Sequence, residues 1–436
     1  MEEVDIIIHN CTILPMNGRD AIIRNGLIAT KKDIILYVGR ETKAPKIKTE
    51  ITINGKDKVA TPGLINCHTH LPMTLFRGIA EDQPLTTWLT QTIWPLEAKL
   101  TPNDIYQGAL LGCLENIKNG TTTFADMYFH EEKIAKAVEK AGLRAVLAQG
   151  IIETENREKG ERMLKEGVEF AQKYNGYADG RVTTQLGPHA VYTCSPQLLT
   201  QTREEASKLG IGMHIHLAES KQMAKLVKKR YGLTEIELLE SINFLKSNVL
   251  AAHCIYLTEK EMRTMAKHNV KVSYNPTANM KIASGTPKIK TLTDLGITVG
   301  IGTDGPASNN NLDMFEEMKT AALLQKIKYM DPTVLSAQQV LRMATTDGAK
   351  ALGLEKTVGS LEVGKKADII LIDFRKPHLT PIHDPYANIV YSARGSDVDT
   401  IIVDGKLLME GRKVKTLDEL EVMQKAQRTA SNLLTR

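Results

Sequence analysis

Several features that define whole classes of proteins are scarce in this chain of 436 residues. It has 5 cysteines, widely spaced and without a C-x-x-C pair, so neither a disulfide framework nor a thiolate zinc site is predicted. The cysteines are expected to be buried, reduced thiols. No apolar run approaches the ~18 residues of a membrane span. The first residues are acidic where a signal peptide would be basic, so we expect a cytoplasmic protein with no membrane partner.

The excess of positive charge in the sequence is small and is not gathered in one place. The chain has 56 Lys and Arg against 51 Asp and Glu, a formal net charge of +5, and its basic residues are scattered among acidic ones. A nucleic-acid-binding protein would gather basic residues on one face or in one block. With 42% hydrophobic residues the chain has the composition of an ordinary globular protein. We therefore expect a large core and no nucleic-acid partner.

The pattern of elements predicts an α/β fold with a (β/α)8 TIM barrel. Apolar, β-branched runs alternate with stretches of helical periodicity, which is typical of a parallel sheet covered by helices. The predicted barrel strands number eight, as in a closed barrel: Ala60 to Cys67, Thr121 to Met127, Ala145 to Ile152, Arg181 to His189, Gly212 to Glu219, Val249 to Cys254, Val270 to Asn275 and Val299 to Asp304.

Both ends of the chain have a different texture, with short strands and turns. Strands are predicted near Val4 to Ile8 and Ile34 to Gly39, and again at Ala367 to Asp373, Ile389 to Tyr391 and Thr400 to Asp404. A helix from about Leu417 to Leu434 closes the chain. We expect residues 1–60 and 365–436 to form one small β-sandwich domain, with residues 61–364 as the barrel.

Polar residues gather where the predicted barrel strands end. The first strand runs into His68-Thr69-His70, whose imidazoles share one face because alternate strand residues point the same way. The other groups are His214 to Glu219 on the fifth strand, His253 on the sixth and Gly302 to Gly305 on the eighth. Active sites of TIM barrels lie at these carboxyl ends.

This set of residue types predicts one catalytic metal ion. Neutral imidazoles and a carboxylate are ligands for zinc or another borderline divalent ion, with iron and manganese as the alternatives here. The competing interpretation, satisfied histidines in a packed core, requires several coincidences because five of the 11 histidines lie at these strand ends. The fourth strand, Arg181 to His189, has no Lys or Glu to bridge a second ion.

Motifs and their order resemble the amidohydrolase superfamily along the whole chain. The residues that carry the resemblance are Pro62-Gly63-Leu64-Ile65-Asn66-Cys67-His68-Thr69-His70, His216-x-x-Glu219, His253 and Thr303-Asp304-Gly305. Further motifs are similar to the branch of 5-methylthioadenosine/S-adenosylhomocysteine deaminases, which includes 5'-deoxyadenosine deaminases. They are Leu75-Phe76-Arg77-Gly78, Trp88-Leu89, Gly187-Pro188-His189, Asn275-Pro276 and Gly305-Pro306-Ala307-Ser308-Asn309-Asn310.

The resemblance implies a metal-dependent deaminase and assigns a ligand set. The implied ligands are His68, His70, His216 and Asp304. His216 is preferred because the family's ligand stands three residues before the glutamate, and His214 stays open as the alternative. The resemblance also implies a homo-oligomer.

The same resemblance implies catalytic roles for three residues in hydrolysis at C6 of adenine. Glu219 would carry protons from water to the ring and to the departing ammonia. His253 would polarise or orient the attacking hydroxide. Asp304 would accept a proton as well as bind the metal, so that both carboxylates contact the substrate.

Contacts to the rest of a nucleoside are implied by position. Glu97 would accept hydrogen bonds from the ribose hydroxyls, although it could also be an exposed helix residue. His189 would contact the nucleoside, and Trp88 would form an apolar wall unless it is simply part of the core. Ser308 is a weaker assignment.

One departure from the branch concerns the 5' end of the substrate. Relatives that accept S-adenosylhomocysteine hold its carboxylate with arginines, because guanidinium binds carboxylates through two parallel hydrogen bonds. Arg162 aligns with one of those arginines, but Gln149 stands where the other is expected. We therefore predict a preference for small uncharged 5' groups.

Two other functions remain open from the sequence. A guanine deaminase or a triazine chlorohydrolase would use the same catalytic set, because this set does not distinguish leaving groups. Some barrels of the superfamily are non-catalytic scaffolds that have lost metal ligands, but this sequence retains all of them.

Overall fold

The computed structural model describes residues 2–18, 21–79 and 81–436. Its strands are β1 (Glu2–Glu3), β2 (Ile6–Ile13), β3 (Ile23–Lys31), β4 (Ile34–Arg40), β5 (Ile47–Lys48), β6 (Ile51–Asn54), β7 (Lys58–Pro62), β8 (Leu64–Thr69), β9 (Thr121–Tyr128), β10 (Arg144–Ile151), β11 (Val182–Pro188), β12 (Gly212–Leu217), β13 (Val249–His253), β14 (Lys271–Tyr274), β15 (Val299–Ile301), β16 (Ile369–Asp373), β17 (Val398–Val403), β18 (Lys406–Glu410) and β19 (Lys413–Val414).

The helices lie mostly between the barrel strands. They are α1 (Leu85–Thr87), α2 (Trp94–Glu97), α3 (Pro102–Lys118), α4 (Glu131–Ala141), α5 (Arg157–Tyr174), α6 (Pro196–Leu209), α7 (Lys221–Tyr231), α8 (Glu235–Ser241), α9 (Glu259–Lys267), α10 (Pro276–Lys281), α11 (Ile289–Asp294), α12 (Pro306–Asn309), α13 (Met314–Tyr329), α14 (Ala337–Met343), α15 (Thr346–Ala351), α16 (Pro385–Ala387) and α17 (Glu419–Thr435). Short π-helices span Trp88–Ile93 and Asn388–Ser392. None of the described helices combines the length and apolar character needed to cross a membrane.

The predicted (β/α)8 barrel is confirmed. Strands β8 to β15 form one sheet in chain order, and every neighbouring pair is parallel. Capping residues mark where the helices that cover the sheet begin and end. At α9 the Thr258 hydroxyl accepts from the Glu261 N–H while the Glu261 carboxylate accepts from the Thr258 N–H. α6 ends at Leu209, and the residue after it, Gly210, has a left-handed φ of 68°.

The last strand meets the first mainly through side chains. The Asn66 amide donates to Thr303 Oγ1 at 2.7 Å, and its oxygen accepts from the Thr303 N–H at 3.0 Å. One backbone bond, from Asp304 N to His68 O at 2.9 Å, completes this seam. The seam therefore places Asp304 directly beside the end of β8.

The two ends of the chain form one sheet, as predicted. Its nine strands include β2, β3, β4, β6 and β7 from the N-terminal side and β16 to β19 from the C-terminal side, and β16 pairs antiparallel with β7. The predicted strand at Ile389 to Tyr391 is wrong, because these residues lie in a π-helix. A helix starts just before them, where the Asp384 carboxylate accepts from the Tyr386 N–H and Pro385 occupies the first helical position.

The chain crosses from the terminal sheet into the barrel at Gly63. The predicted strand Ala60 to Cys67 is therefore two strands, β7 and β8. A Cβ at Gly63 would lie 2.1 Å from the Thr122 side chain, so only glycine fits this close crossing. We keep the division into residues 1–60 with 365–436, and 61–364, as a proposal.

A buried arginine joins the barrel to the terminal sheet. Arg144 donates from Nε to Asp368 Oδ2 at 3.0 Å and from Nη2 to Asp404 Oδ1 at 3.0 Å. At most 5% of each of these three side chains is exposed. The five cysteines are free and buried, as expected from the sequence.

Candidate active site

The polar side chains predicted from the strand ends converge on one point at the carboxyl end of the barrel. His68 lies in β8 and His70 directly follows it, His216 lies in β12, His253 ends β13, and Asp304 follows β15 by three residues. The imidazole rings of His68 and His216 have centroids 4.8 Å apart. The fold therefore brings these five residues together.

The distances between the facing atoms suit ligands of a single ion. His70 Nε2 lies 3.3 Å from both His216 Nε2 and Asp304 Oδ1, and His68 Nε2 lies 3.4 Å from Asp304 Oδ1. Ligand atoms about 2.0–2.1 Å from a tetrahedral ion are roughly 3.3–3.4 Å from each other. His68 Nε2 is buried and has no hydrogen-bond partner within the described part of the chain. These residues fit a divalent metal ion.

Hydrogen bonds on the far side of two imidazoles set their tautomers. His70 donates from Nδ1 to the Met127 carbonyl at 2.6 Å, and His216 donates from Nδ1 to the His189 carbonyl at 2.9 Å. A neutral imidazole carries a single N–H, so both rings present a bare Nε2 to the centre.

The Asp304 carboxylate lies against His70 Nε2, where a proton on the ring and a metal cation compete for the same place. Although both are buried, Asp304 raises the pKa of His70 to about 9. In turn, His68 and His70 hold the pKa of Asp304 well below its usual range, against the effect of burial. A carboxylate that stays ionised in the core is the form that binds a cation.

His253 and Glu219 lie next to this cluster. His253 Nδ1 is 2.8 Å from Asn279 Oδ1, a bond that assigns the proton to Nδ1 and leaves Nε2 bare. His253 Nε2 lies 3.8 Å from Glu219 Oε1. Burial raises the pKa of Glu219, which favours a carboxyl group that can both take up and release a proton. Sequence reasoning missed Asn279, although it lies four residues after Asn275 in the quoted Asn275-Pro276 motif.

The backbone turns sharply where these side chains are presented. Ala218, His253 and Asp304 have φ values of 51°, 72° and 63°, in the left-handed region that residues other than glycine seldom adopt. Hydrogen bonds hold these turns in place: for example, the Thr69 hydroxyl donates to the Asp304 carbonyl at 3.0 Å. Such conformations cluster at functional sites.

A small inner pocket of about 70 Å³ lies above the cluster. Its wall includes Trp88, Glu97, His189 and Ser308, which the sequence assigned to substrate contacts. Trp88 is 6% exposed, so it is both part of the core and a wall of the pocket. Burial lowers the pKa of His189 to about 3, so its imidazole is neutral.

A larger outer cavity of about 1000 Å³ adjoins the inner pocket. Glu97 lines both, and burial raises its pKa to about 7 although the Tyr128 hydroxyl and His70 oppose this. Arg162 and Gln149 line the outer cavity only. The Arg162 side chain is 66% exposed and its Nε lies 3.9 Å from Glu166 Oε1, and Gln149 Oε1 accepts from the Glu131 N–H at 3.3 Å. Arg162 therefore does not reach the inner pocket.

Comparisons with known proteins extend over the whole chain. A model of the amidohydrolase family matches residues 59–408. The chain is 50% identical over 432 residues to the 5'-deoxyadenosine deaminase of Methanosarcina barkeri, covering 99% of each. It is also 50% identical over 418 residues to the 5-methylthioadenosine/S-adenosylhomocysteine deaminase of Moorella thermoacetica, covering 96% of this chain and 97% of that one. An adenosine deaminase from Xanthomonas campestris, solved with bound zinc, has the same fold with a TM-score of 0.96, 31% identity and 100% coverage of both chains.

Proposed function

Since the chain belongs to the amidohydrolase family, we propose that it is a metal-dependent hydrolase that deaminates adenosine-type nucleosides. The substrates are 5'-deoxyadenosine, 5'-methylthioadenosine, S-adenosylhomocysteine and adenosine, and the products are the inosine analogues and ammonia. The observation that carries the proposal is the convergence of the metal-ligand cluster, Glu219 and His253 on one pocket. The names of the full-length relatives support the same reaction.

We propose that His68, His70, His216 and Asp304 hold the ion, and that the ion is zinc. The ligand-to-ligand distances and the bare Nε2 atoms support this set, and the relative solved with zinc supports the choice of metal over iron or manganese. A bound divalent ion lowers the pKa of a coordinated water toward ~7 and so supplies a hydroxide nucleophile at neutral pH.

The remaining polar residues move protons and orient the reactants. Water adds to C6 of the adenine ring while N1 takes up a proton, and the bond from C6 to the exocyclic nitrogen then breaks as ammonia leaves. Glu219 carries the proton from water to N1 and a proton to the leaving nitrogen, and its raised pKa suits both transfers. His253 orients the attacking oxygen through Nε2. Asp304 accepts the second proton of the water, which passes through Glu219 to the leaving nitrogen, so that one water proton ends on N1 and the other on ammonia.

Walls of the two cavities hold the rest of the nucleoside. We propose that the base occupies the inner pocket against Trp88, with His189 and Ser308 at its side. Glu97, at the junction of the cavities, accepts hydrogen bonds from the ribose hydroxyls. An inner pocket of about 70 Å³ is small for a ligand, so the pocket must widen on binding.

The 5' substituent extends into the outer cavity. Arg162 lines this cavity but is exposed, and Gln149 offers only a neutral amide. A carboxylate on the substrate therefore meets Lys159, Arg162 and Lys173 among acidic residues, and no buried pair of arginines. For this reason we propose that 5'-deoxyadenosine and 5'-methylthioadenosine are turned over better than S-adenosylhomocysteine.

The first experiment incubates the zinc-loaded protein with 5'-deoxyadenosine and follows the ultraviolet change from adenine to hypoxanthine. We expect rapid conversion that is lost in His253→Ala. A protein that binds zinc but leaves the spectrum unchanged would refute the nucleoside assignment, and guanine and halogenated triazines would be tested next. A protein that retains no stoichiometric metal after gentle purification would favour a non-catalytic scaffold.

Two parts of the proposal concern the whole molecule. We keep a cytoplasmic location as a proposal, and the family resemblance supports a homo-oligomer. Light scattering on the purified protein tests the homo-oligomer, since a mass of 48.3 kDa in solution would contradict it.

A further inference from the structure

The third ligand histidine differs from the other two in what holds its ring. His70 and His216 donate from Nδ1 to backbone carbonyls, whereas His68 Nδ1 lies 2.8 Å from a side chain, His214 Nε2. Both His68 and His214 are fully buried. His214 shares the face of His216 on β12 and lies one layer deeper in the barrel. The Nδ1 atom of His68 is therefore held by a histidine side chain, whereas those of His70 and His216 are held by main-chain carbonyls.

We infer that His214 is a positioning residue that accepts a hydrogen bond from His68 Nδ1 and fixes the ring and tautomer of His68 for metal binding. The inference rests on the metal centre of the proposed function. A neutral imidazole carries one proton, and a ligand at Nε2 must carry it on Nδ1. That proton then points at His214 Nε2, which must be bare, so His214 carries its own proton on Nδ1.

The opposite arrangement does not suit a metal centre. If His214 donated from Nε2, His68 would carry its proton on Nε2, the atom that lies 3.4 Å from Asp304 Oδ1. His68 Nε2 would then be unable to bind an ion. The direction of this one hydrogen bond therefore decides whether His68 is a ligand.

His214 is placed to support a ligand rather than to be one. Its Nε2 is engaged on the side of the His68 ring that faces away from Asp304, and the group of facing ligand atoms is complete without it. Its Nδ1 is buried without a hydrogen-bond partner among the described residues. A buried polar atom without a partner destabilises the fold, so the favourable contact of His214 is the one made by its Nε2.

The test compares two replacements of nearly equal shape, His214→Met and His214→Gln. The Gln side-chain oxygen can accept from His68 Nδ1, and the Met sulfur is only a weak acceptor. We measure the zinc dissociation constant by competition with a chelator, together with the unfolding temperature. Loss of a partner of a metal-bound histidine typically costs about 10–100-fold in metal affinity. We expect that loss in His214→Met and recovery of most of it in His214→Gln.

Three results would overturn the inference. One is zinc affinity of His214→Met equal to that of the wild type, and another is an equal loss in both variants at unchanged unfolding temperature. The third needs no variant and comes from the NMR spectrum of zinc-loaded wild-type protein labelled with ¹⁵N in histidine. A proton on His214 Nε2 would show that His214 donates to His68 rather than accepting from it. This spectrum decides the matter even if neither variant folds. Failure of the wild type to bind zinc would instead overturn the proposed centre.

Discussion

Replacement of Glu97 separates a nucleoside deaminase from an enzyme that acts on a free base. The Glu97 carboxyl group lies at the junction of the inner pocket and the outer cavity, where a ribose attached to a bound base would pass. In Glu97→Ala we expect kcat/KM for 5'-deoxyadenosine to fall steeply. Turnover of free adenine should change little, because adenine has no ribose hydroxyls.

The size of the effect follows from the bonds that are lost. A hydrogen bond to a charged group contributes about 1.5–3 kcal/mol. Because Glu97 is only partly buried, the lower value applies. Two hydroxyls on one carboxylate then give about 3 kcal/mol, which corresponds to roughly 150-fold in kcat/KM.

The loss should also depend on pH with a definite sign. Burial raises the pKa of Glu97 to about 7, and only the ionised carboxylate accepts from both hydroxyls. As the pH falls through this value, the wild type loses its advantage over Glu97→Ala. Between pH 8 and pH 6 the ionised fraction falls about tenfold, so the ratio of the two activities should fall by about the same factor.

The assay follows adenine-to-hypoxanthine conversion at several pH values for both substrates. Glu169→Ala is the control, because Glu169 lines the outer cavity but not the inner pocket and should leave both activities unchanged. An equal loss for 5'-deoxyadenosine and adenine would refute the ribose contact. A ratio of wild type to Glu97→Ala that stays constant from pH 6 to pH 8 would refute the role of the ionised carboxylate.

Three further predictions concern other parts of the molecule. Arg144→Met leaves the buried Asp368 without its cation and Asp404 with Lys366 alone, and should cost about 3–5 kcal/mol of unfolding free energy in urea. The exposed Arg157→Met should cost under about 1 kcal/mol, and similar losses in the two variants would contradict the prediction. Gln149→Arg should raise kcat/KM for S-adenosylhomocysteine relative to 5'-deoxyadenosine by about tenfold, which is the contribution of one charge-assisted hydrogen bond. A wild type that already prefers S-adenosylhomocysteine would refute the predicted preference for small uncharged 5' groups. Asn279→Ala frees the ring of His253 and should lower kcat by about 10–100-fold with zinc content and KM unchanged, whereas loss of zinc would show a structural role instead.

Periodic patterns made the barrel predictable from the sequence. Each strand of the sheet is a short apolar run, and the runs that end in His216 and His253 are followed by helices capped by the side chains of Ser220 and Thr258. The alternation of side chains along a strand then placed the polar residues on a shared face. Convergence of the candidate ligands followed from the fold alone, because the carboxyl ends of barrel strands meet at one face.

The residues that were missed act through contacts between distant segments. Asn279 lies 26 positions from its partner His253, and nothing in its local pattern distinguishes it from a turn residue. The bond between His68 and His214 depends on how two strands face each other across the barrel. The segment Ile389 to Tyr391 was misread because a short apolar run fits a strand and a buried helix equally well.

The seam between β15 and β8 affects the order in which parts of the protein fold. Asn66 and Thr303 are 237 positions apart, so the barrel closes through a contact between its first strand and its last. Contacts of such long range form late, after the local helices and neighbouring strands. During synthesis from the N-terminus, His68 and His70 leave the ribosome long before Asp304 does. The ligand cluster is therefore among the last parts of the protein to assemble, and a chain truncated before residue 303 has neither a closed barrel nor a complete site.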